Sequence, residues 1–273
     1  MKIIRTIEDL KEWRSRTSES VGFVPTMGAL HEGHSTLIKK AVEENEYAVV
    51  SIFVNPTQFL ASEDLSTYPK KEDSDKKICE LLGVEVLFMP NIEEMYSKDE
   101  VLIGAPNIRG FILEGHSRPG HFDGVLRIVM KLFNLTRATN AYFGKKDAQQ
   151  LALINQMVEN YFLDINIVAV DTVRQKDGLA LSSRNTYLTE SEKSEALKLS
   201  RSLKKAAQLF QSGEDYCNTI KTSMLKILEP LEVEYVAIVN RSFEELKIIE
   251  KNNTIILVTA RVGNTRLIDN IWL

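Results

Sequence analysis

At 273 residues, with 44% hydrophobic and 26% charged side chains, the chain has the composition of a soluble globular protein and the length of about two domains. A formal net charge of -4 excludes a general attraction to nucleic acid or to an anionic membrane, so any anion site has to be local. Two cysteines, Cys79 and Cys217, sit far apart in helical patterns and read as inert thiols, and with four histidines in all and no cysteine near His31 and His34 a zinc site is the weaker rival to anion binding there.

The N-terminal stretch MKIIRTIEDLKEWRSR alternates charged and apolar residues without the apolar core of a secretory signal, and no apolar run approaches a membrane span. Cytoplasmic residence is the expectation. Residues 21–24, VGFV, read as a buried strand, broken by Pro25, Gly28 and Gly33. Leu37, Ile38, Ala41 and Val42 then recur at helical spacing over 35–44, so His31 and His34 fall at or just before a helix N-terminus. Unpaired N–H groups and roughly half a positive charge collect at such an end, and two imidazoles three residues apart can face one anion. The stretch predicts a phosphate site, while a cap or a metal ligand remains open on H-x-G-H alone.

Residues 47–54, YAVVSIFV, form a continuous β-branched run suited to a strand buried on both faces. It places Asn55 and Gln58 just past a strand end, where amide side chains that donate and accept suit a small hydroxy acid. A helix over 72–82 and a strand over 84–88 follow, then a helix over 125–135, a strand at 141–143, a helix over 148–160 and a strand over 165–170. This alternation predicts a doubly wound, Rossmann-like parallel sheet in an α/β chain. From Asp177 the pattern changes. Thr189-Glu190-Ser191-Glu192 is a capping box opening a helix toward 211, a second helix covers 215–228, and β-rich runs occupy 233–239, 254–262 and 265–273. These predict a second, smaller α+β domain, with domains at 1–174 and 175–273 and a cleft between them.

Two more predicted loops carry chemistry. Gly144-Lys145-Lys146-Asp147, with Gln149 and Gln150, is a turn from strand into helix bearing two ammonium groups, with Asp147 placed to cap the helix. Leu181-Ser182-Ser183-Arg184-Asn185 offers hydroxyls and a guanidinium to phosphate oxygens. Taken singly, each is equally a turn, a solvated lysine pair or a loop bonded to its own backbone. Three of the four loops nevertheless follow predicted sheet strands, at the edge where such folds bind ligands.

Six stretches in order, PTMGALHEGH (25–34), SIFVNPTQF (51–59), RPGHFDGV (118–125), YFGKKDAQQL (142–151), DGLALSSRNTYL (177–188) and RLIDN (266–270), give the chain a resemblance to the pantothenate synthetase, or pantoate and β-alanine ligase, family over nearly its whole length. That family shares its histidine motif with class I aminoacyl-tRNA synthetases. The resemblance implies ATP- and Mg²⁺-dependent joining of pantoate to β-alanine through a pantoyl adenylate, with loss of pyrophosphate and AMP. It also implies a homodimer without nucleic acid or membrane partners. By resemblance Met27, Gly28, Ala29, Leu30, His31, Glu32, Gly33 and His34 line the ATP site, with His34 as proton donor and His31 beside it. Gln58 would contact both pantoate and β-alanine, and Gln150 pantoate. Gly144, Lys145, Lys146, Asp147, Val173, Leu181, Ser182, Ser183 and Arg184 would hold ATP, with Lys146 and Arg184 on its phosphates.

The implied catalytic set is therefore His31, His34, Lys146 and Arg184, with the smaller domain as a lid that excludes water from a hydrolysable intermediate. No metal ligands are fixed, and Asp75 is the one carboxylate singled out. The chain departs from the family at Leu60-Ala61, where members often carry Gly-Pro, and at Lys145, where glutamate is frequent. The rival readings are another acid-adenylating or nucleotidyl-transferring enzyme and a non-catalytic nucleotide- or RNA-binding module, the acidic balance counting against RNA.

Overall fold

A computed structural model describes residues 1–61, 63 and 65–273. The chain divides into two compact units, Met1–Lys145 with Gln149–Asp171, and Lys146–Ala148 with Thr172–Leu273.

In the first unit the elements run β1 (Lys2–Ile4), α1 (Ile7–Ser15), β2 (Val21–Thr26), α2 (Glu32–Glu44), β3 (Tyr47–Ile52), α3 (Glu72–Leu81), β4 (Val86–Phe88), the single turns α4 (Ile92–Met95) and α5 (Glu114–Ser117), α6 (His121–Thr136), β5 (Asn140–Gly144), α7 (Ala148–Asn160) and β6 (Asn166–Val170). The six strands pair in parallel in the order β1-β4-β3-β2-β5-β6. The apolar runs explain this. Val21, Phe23 and Val24 on β2 and Val49 and Val50 on β3 are buried, as only strands covered on both faces can be. Leu37, Ile38 and Ala41 of α2 pack against one face. The chain winds outward from β2 through β3 to β4, then returns at β5 and winds the other way to β6. The reversal between β2 and β5 is the switch point at which loops part and leave a crevice at the strands' C-terminal ends. The doubly wound sheet expected from the sequence is the one formed.

Several elements and boundaries differ from expectation. β1 and α1 lack a strong periodic signal, and β1 is a three-residue edge strand. Helix α6 begins at His121, four residues before the apolar periodicity sets in, because Gly120 at φ 81° turns the chain directly into it. β3 ends at Ile52, after which Phe53 N bonds back to Thr26 O on β2.

The second unit carries α8 (Glu190–Gln211), α9 (Cys217–Leu228), β7 (Glu232–Asn240), β8 (Thr254–Val262) and β9 (Thr265–Trp272). Thr189 caps α8 through the expected box, its hydroxyl accepting from Glu192 N while the Glu192 carboxylate accepts from Thr189 N at 2.8 Å. The strands form an antiparallel β7-β8-β9 sheet, and Leu199, Leu203, Ile220 and Met224 of the two helices join Val236, Ile238, Ile256 and Val258 in one core. Among the described residues no helix is long and apolar enough to cross a membrane.

Candidate active site

The chain leaves β2 through Met27, Gly28, Ala29 and Leu30 and enters α2 at Glu32, with His31 as the capping residue. Gly28 and Ala29 lie in the left-handed region, at φ 84° and 50°. Thr26 Oγ1 holds the first turn, accepting from Gly28 N at 3.2 Å and donating to Ser51 O at 2.8 Å. The histidines cap the helix reciprocally. His31 Nδ1 accepts from Gly33 N at 3.2 Å, and His34 Nδ1 accepts from His31 N at 3.4 Å. A ring nitrogen that accepts carries no proton, so each neutral imidazole holds its proton on Nε2. The rings lie 4.1 Å apart at 37°. Two Nε2–H donors thus share the end of a helix whose dipole favours anions. Glu32 is exposed, and Gly33 and both histidines are half-buried.

Asp75, singled out as a carboxylate for metal, does something else. It is buried in α3, and its two oxygens accept from Ala29 N at 2.9 Å and Leu30 N at 2.8 Å. Burial raises its pKa, and the two amides work against that rise. It holds the loop from behind.

The Asn55–Gln58 turn meets this loop. Gln58 Nε2 donates to Met27 Sδ at 3.0 Å, and its Oε1 accepts from Asn55 Nδ2 at 3.1 Å. Asn55, read from sequence as a recognition amide, is only 1% exposed and fully engaged. Its Nδ2 also donates to Gly124 O at 3.1 Å, while its Oδ1 accepts from Tyr96 OH at 2.7 Å and Thr57 Oγ1 at 3.0 Å. Asn55 builds the turn and Gln58 presents it. Behind Gln58 stand residues to which sequence reasoning gave no role. His121 Nδ1 lies 2.7 Å from Gln58 O, so this nitrogen donates and Nε2 accepts from Arg118 Nη1 at 3.0 Å. Burial, aided by the Arg118 charge, lowers His121 to about 4, which leaves it neutral. Arg118 in turn pairs with both oxygens of Glu63. The signal was present, since Arg118, His121 and Gly124 all belong to RPGHFDGV. A Cβ on Gly124 would lie 2.2 Å from Thr57 O, so only glycine lets α6 approach the turn.

At the end of β5, Gly144 leads into the single turn Lys145–Asp147 and then α7. Lys145 Nζ donates to Asp171 Oδ1 at 2.6 Å. Gln149 is buried and engaged, accepting from Glu114 N at 3.0 Å and donating to Arg109 O and Ile112 O, whereas Gln150 is half-buried.

In the second unit, Lys146 Nζ lies 3.5 Å from Asp147 Oδ1, so the Asp147 carboxylate faces its neighbour's ammonium. Val173 and Leu181 are joined by Leu181 N donating to Val173 O at 3.0 Å, with a bridge between Arg174 and Ala180 inside the hairpin. Arg174 donates in a fork to Asp269 at 2.7 and 2.9 Å, and Asn270 Nδ2 donates to Lys146 O at 2.7 Å. The RLIDN motif therefore ties the Val173–Leu181 hairpin and Lys146 to one strand, β9. Ser182 Oγ accepts from Arg184 N at 3.2 Å and caps the turn Ser183–Tyr187. Asn185 Nδ2 donates to Ala180 O. Leu181, Ser182, Ser183 and Arg184 are all half-buried.

For a divalent cation, no group of three His, Cys, Asp or Glu side chains is found among the described residues. With Asp75 committed to backbone amides, this donor set does not make a dedicated cage.

Comparison with known proteins agrees across the whole chain. Residues 2–272 match the family described as pantoate-beta-alanine ligase. The pantothenate synthetase of Aliarcobacter butzleri (strain RM4018) is 59% identical over 273 residues, covering 100% of both chains. That of Helicobacter acinonychis (strain Sheeba) is 50% identical over 275 residues with the same coverage. A crystal structure of pantothenate synthetase from Thermus thermophilus superposes with a TM-score of 0.95 at 36% identity, over 100% of this chain and 99% of that one. The pantoate-beta-alanine ligase of Francisella tularensis, complexed with beta-gamma ATP and beta-alanine, superposes at 0.82 and 36% identity, over 100% and 97%. By full-length sequence match and by fold, this chain belongs to the pantoate-beta-alanine ligase family.

Proposed function

We propose that the chain is an ATP-dependent, AMP-forming ligase that condenses (R)-pantoate with β-alanine, through a pantoyl adenylate, to give pantothenate. The observation that carries this reading is the pair of tilted, adjacent imidazoles capping α2 at the sheet's switch point, beside a Gln58 amide in contact with Met27. The first step brings one anion to another. The pantoate carboxylate attacks the α-phosphorus of ATP, the bond to pyrophosphate breaks, and charge grows on the leaving oxygens. Two Nε2–H donors and the helix end offset that charge, with His34 the donor nearest the reacting phosphate in this reading.

Lys146 and Arg184 are assigned to phosphates of the same nucleotide, with Gly144, Lys145, Asp147, Val173, Leu181, Ser182 and Ser183 around it. Gln58 and Gln150 are assigned to pantoate, and Gln58 also to β-alanine, whose amine then attacks the acyl carbon and expels AMP. No protein nucleophile is required, because adenylation activates the acid and orientation does the rest. Mg²⁺ would arrive with ATP, held largely by the nucleotide's own phosphates and water, and would supply further positive charge to the triphosphate.

A homodimer that works in the cytoplasm without nucleic acid belongs to the same reading. Exposed Val101, Leu102, Ile108 and Phe111 offer apolar surface for self-association, which sedimentation would measure. The functional test is AMP formation with each substrate omitted in turn. The reading expects AMP only when ATP, pantoate and β-alanine are all present. Turnover with a different acid, and none with pantoate, would assign the chain to another acid-adenylating reaction.

A further inference from the structure

Four amides of the loop between β2 and α2, and that of Gly33 in the first turn of α2, donate within the protein. Gly28 N is taken by Thr26 Oγ1, His31 N by His34 Nδ1 and Gly33 N by His31 Nδ1. The amides of Ala29 and Leu30 donate to the two oxygens of Asp75, which is 1% exposed. Such a buried carboxylate is tolerated only where hydrogen bonds replace its water. The same two amides lie at a backbone that needs support. Gly28 and Ala29 are left-handed, a conformation costly for alanine, and a Cβ on Gly28 would stand 3.0 Å from Asp75 Oδ2.

We propose that Asp75 is a positioning residue for adenylation. By accepting from both amides it fixes the Gly28–Ala29 turn that delivers His31 and His34 to the helix end, and it keeps these bonds when nucleotide binds. The triphosphate then meets the imidazoles, and not the Ala29 and Leu30 amides. This rests on the assignment of Met27 to His34 to ATP.

The test is Asp75→Asn, which turns one acceptor into a donor facing an N–H. Pantoate-dependent exchange of pyrophosphate into ATP is expected to lose roughly tenfold to a hundredfold in kcat/KM for ATP, the size of hydrogen bonds to a charged group. KM for β-alanine in the full reaction should stay within about twofold. A folded variant with wild-type ATP kinetics overturns the proposal. If the variant does not fold, ¹⁵N-labelled wild-type protein decides. The Ala29 and Leu30 amide shifts should follow one carboxyl titration both without and with saturating ATP, and loss of that dependence on ATP binding overturns it. Failure of the ligase reading is separate, because wild-type protein would then form no AMP from ATP, pantoate and β-alanine.

Discussion

Replacing His121 with asparagine removes a buried titrating ring while keeping an N–H donor for the Gln58 carbonyl. In the folded protein His121 is held at about 4 against an ordinary value of 6.5, first by burial and then by the Arg118 charge. The folded state therefore refuses a proton that the unfolded chain binds in this range. Stability is full above about pH 6.5 and is lost as pH falls toward about 4, where the deficit reaches about 3 kcal/mol. Between about pH 7.5 and about pH 5 the loss through this one group is about 2 kcal/mol. Urea unfolding at both pH values, in wild type and His121→Asn, isolates it, because every other ionisable side chain is common to the two proteins. The variant should be less sensitive to acid by about 2 kcal/mol. Equal pH dependence in the two proteins would refute the argument, as would a His121 ring proton resonance in NMR that titrates near the ordinary histidine value.

Three further substitutions probe the site. His34→Ala is expected to cut turnover by roughly two to four orders of magnitude, the range for loss of a catalytic acid or charge stabiliser, and a near wild-type rate would remove His34 from the mechanism. Gly124→Ala, with its Cβ aimed 2.2 Å from Thr57 O, should cost about 1–3 kcal/mol in thermal unfolding and raise KM for pantoate by displacing the Gln58 turn. Asp269→Ala leaves Arg174 without its forked partner and should lower stability by about 3 kcal/mol, read by the fluorescence of Trp272, whose Nε1 donates to Asn270 Oδ1 at 3.0 Å.

The sheet was legible because its strands announce themselves. Runs such as YAVVSI have few stable homes other than the interior of a parallel sheet, and Gly83 and the Thr189 box mark where helices stop and start. The histidine site was legible for the same local reason, since spacing alone puts His31 and His34 at a helix end. What each polar side chain does there was not. Asn55 and Gln58 look equally available in the sequence. One is consumed by Tyr96, Thr57 and Gly124, and the other is left at the surface of the turn. Asp75 lies 46 positions from Ala29, and Asp269 lies 95 from Arg174. Partners at that separation are set by strand order and helix packing, which no local pattern encodes. RPGHFDGV and RLIDN were visible as motifs, but their work in holding Gln58 and Lys146 in place belongs to tertiary structure.

Adenylation requires the acid's own oxygen to attack the α-phosphorus, and following that oxygen tests the step most directly. Pantoate carrying ¹⁸O in its carboxylate is turned over with ATP and β-alanine, and the products are weighed by mass spectrometry. One ¹⁸O is expected in AMP and none in pyrophosphate. Label in inorganic phosphate accompanied by ADP, or AMP without label, would contradict that attack.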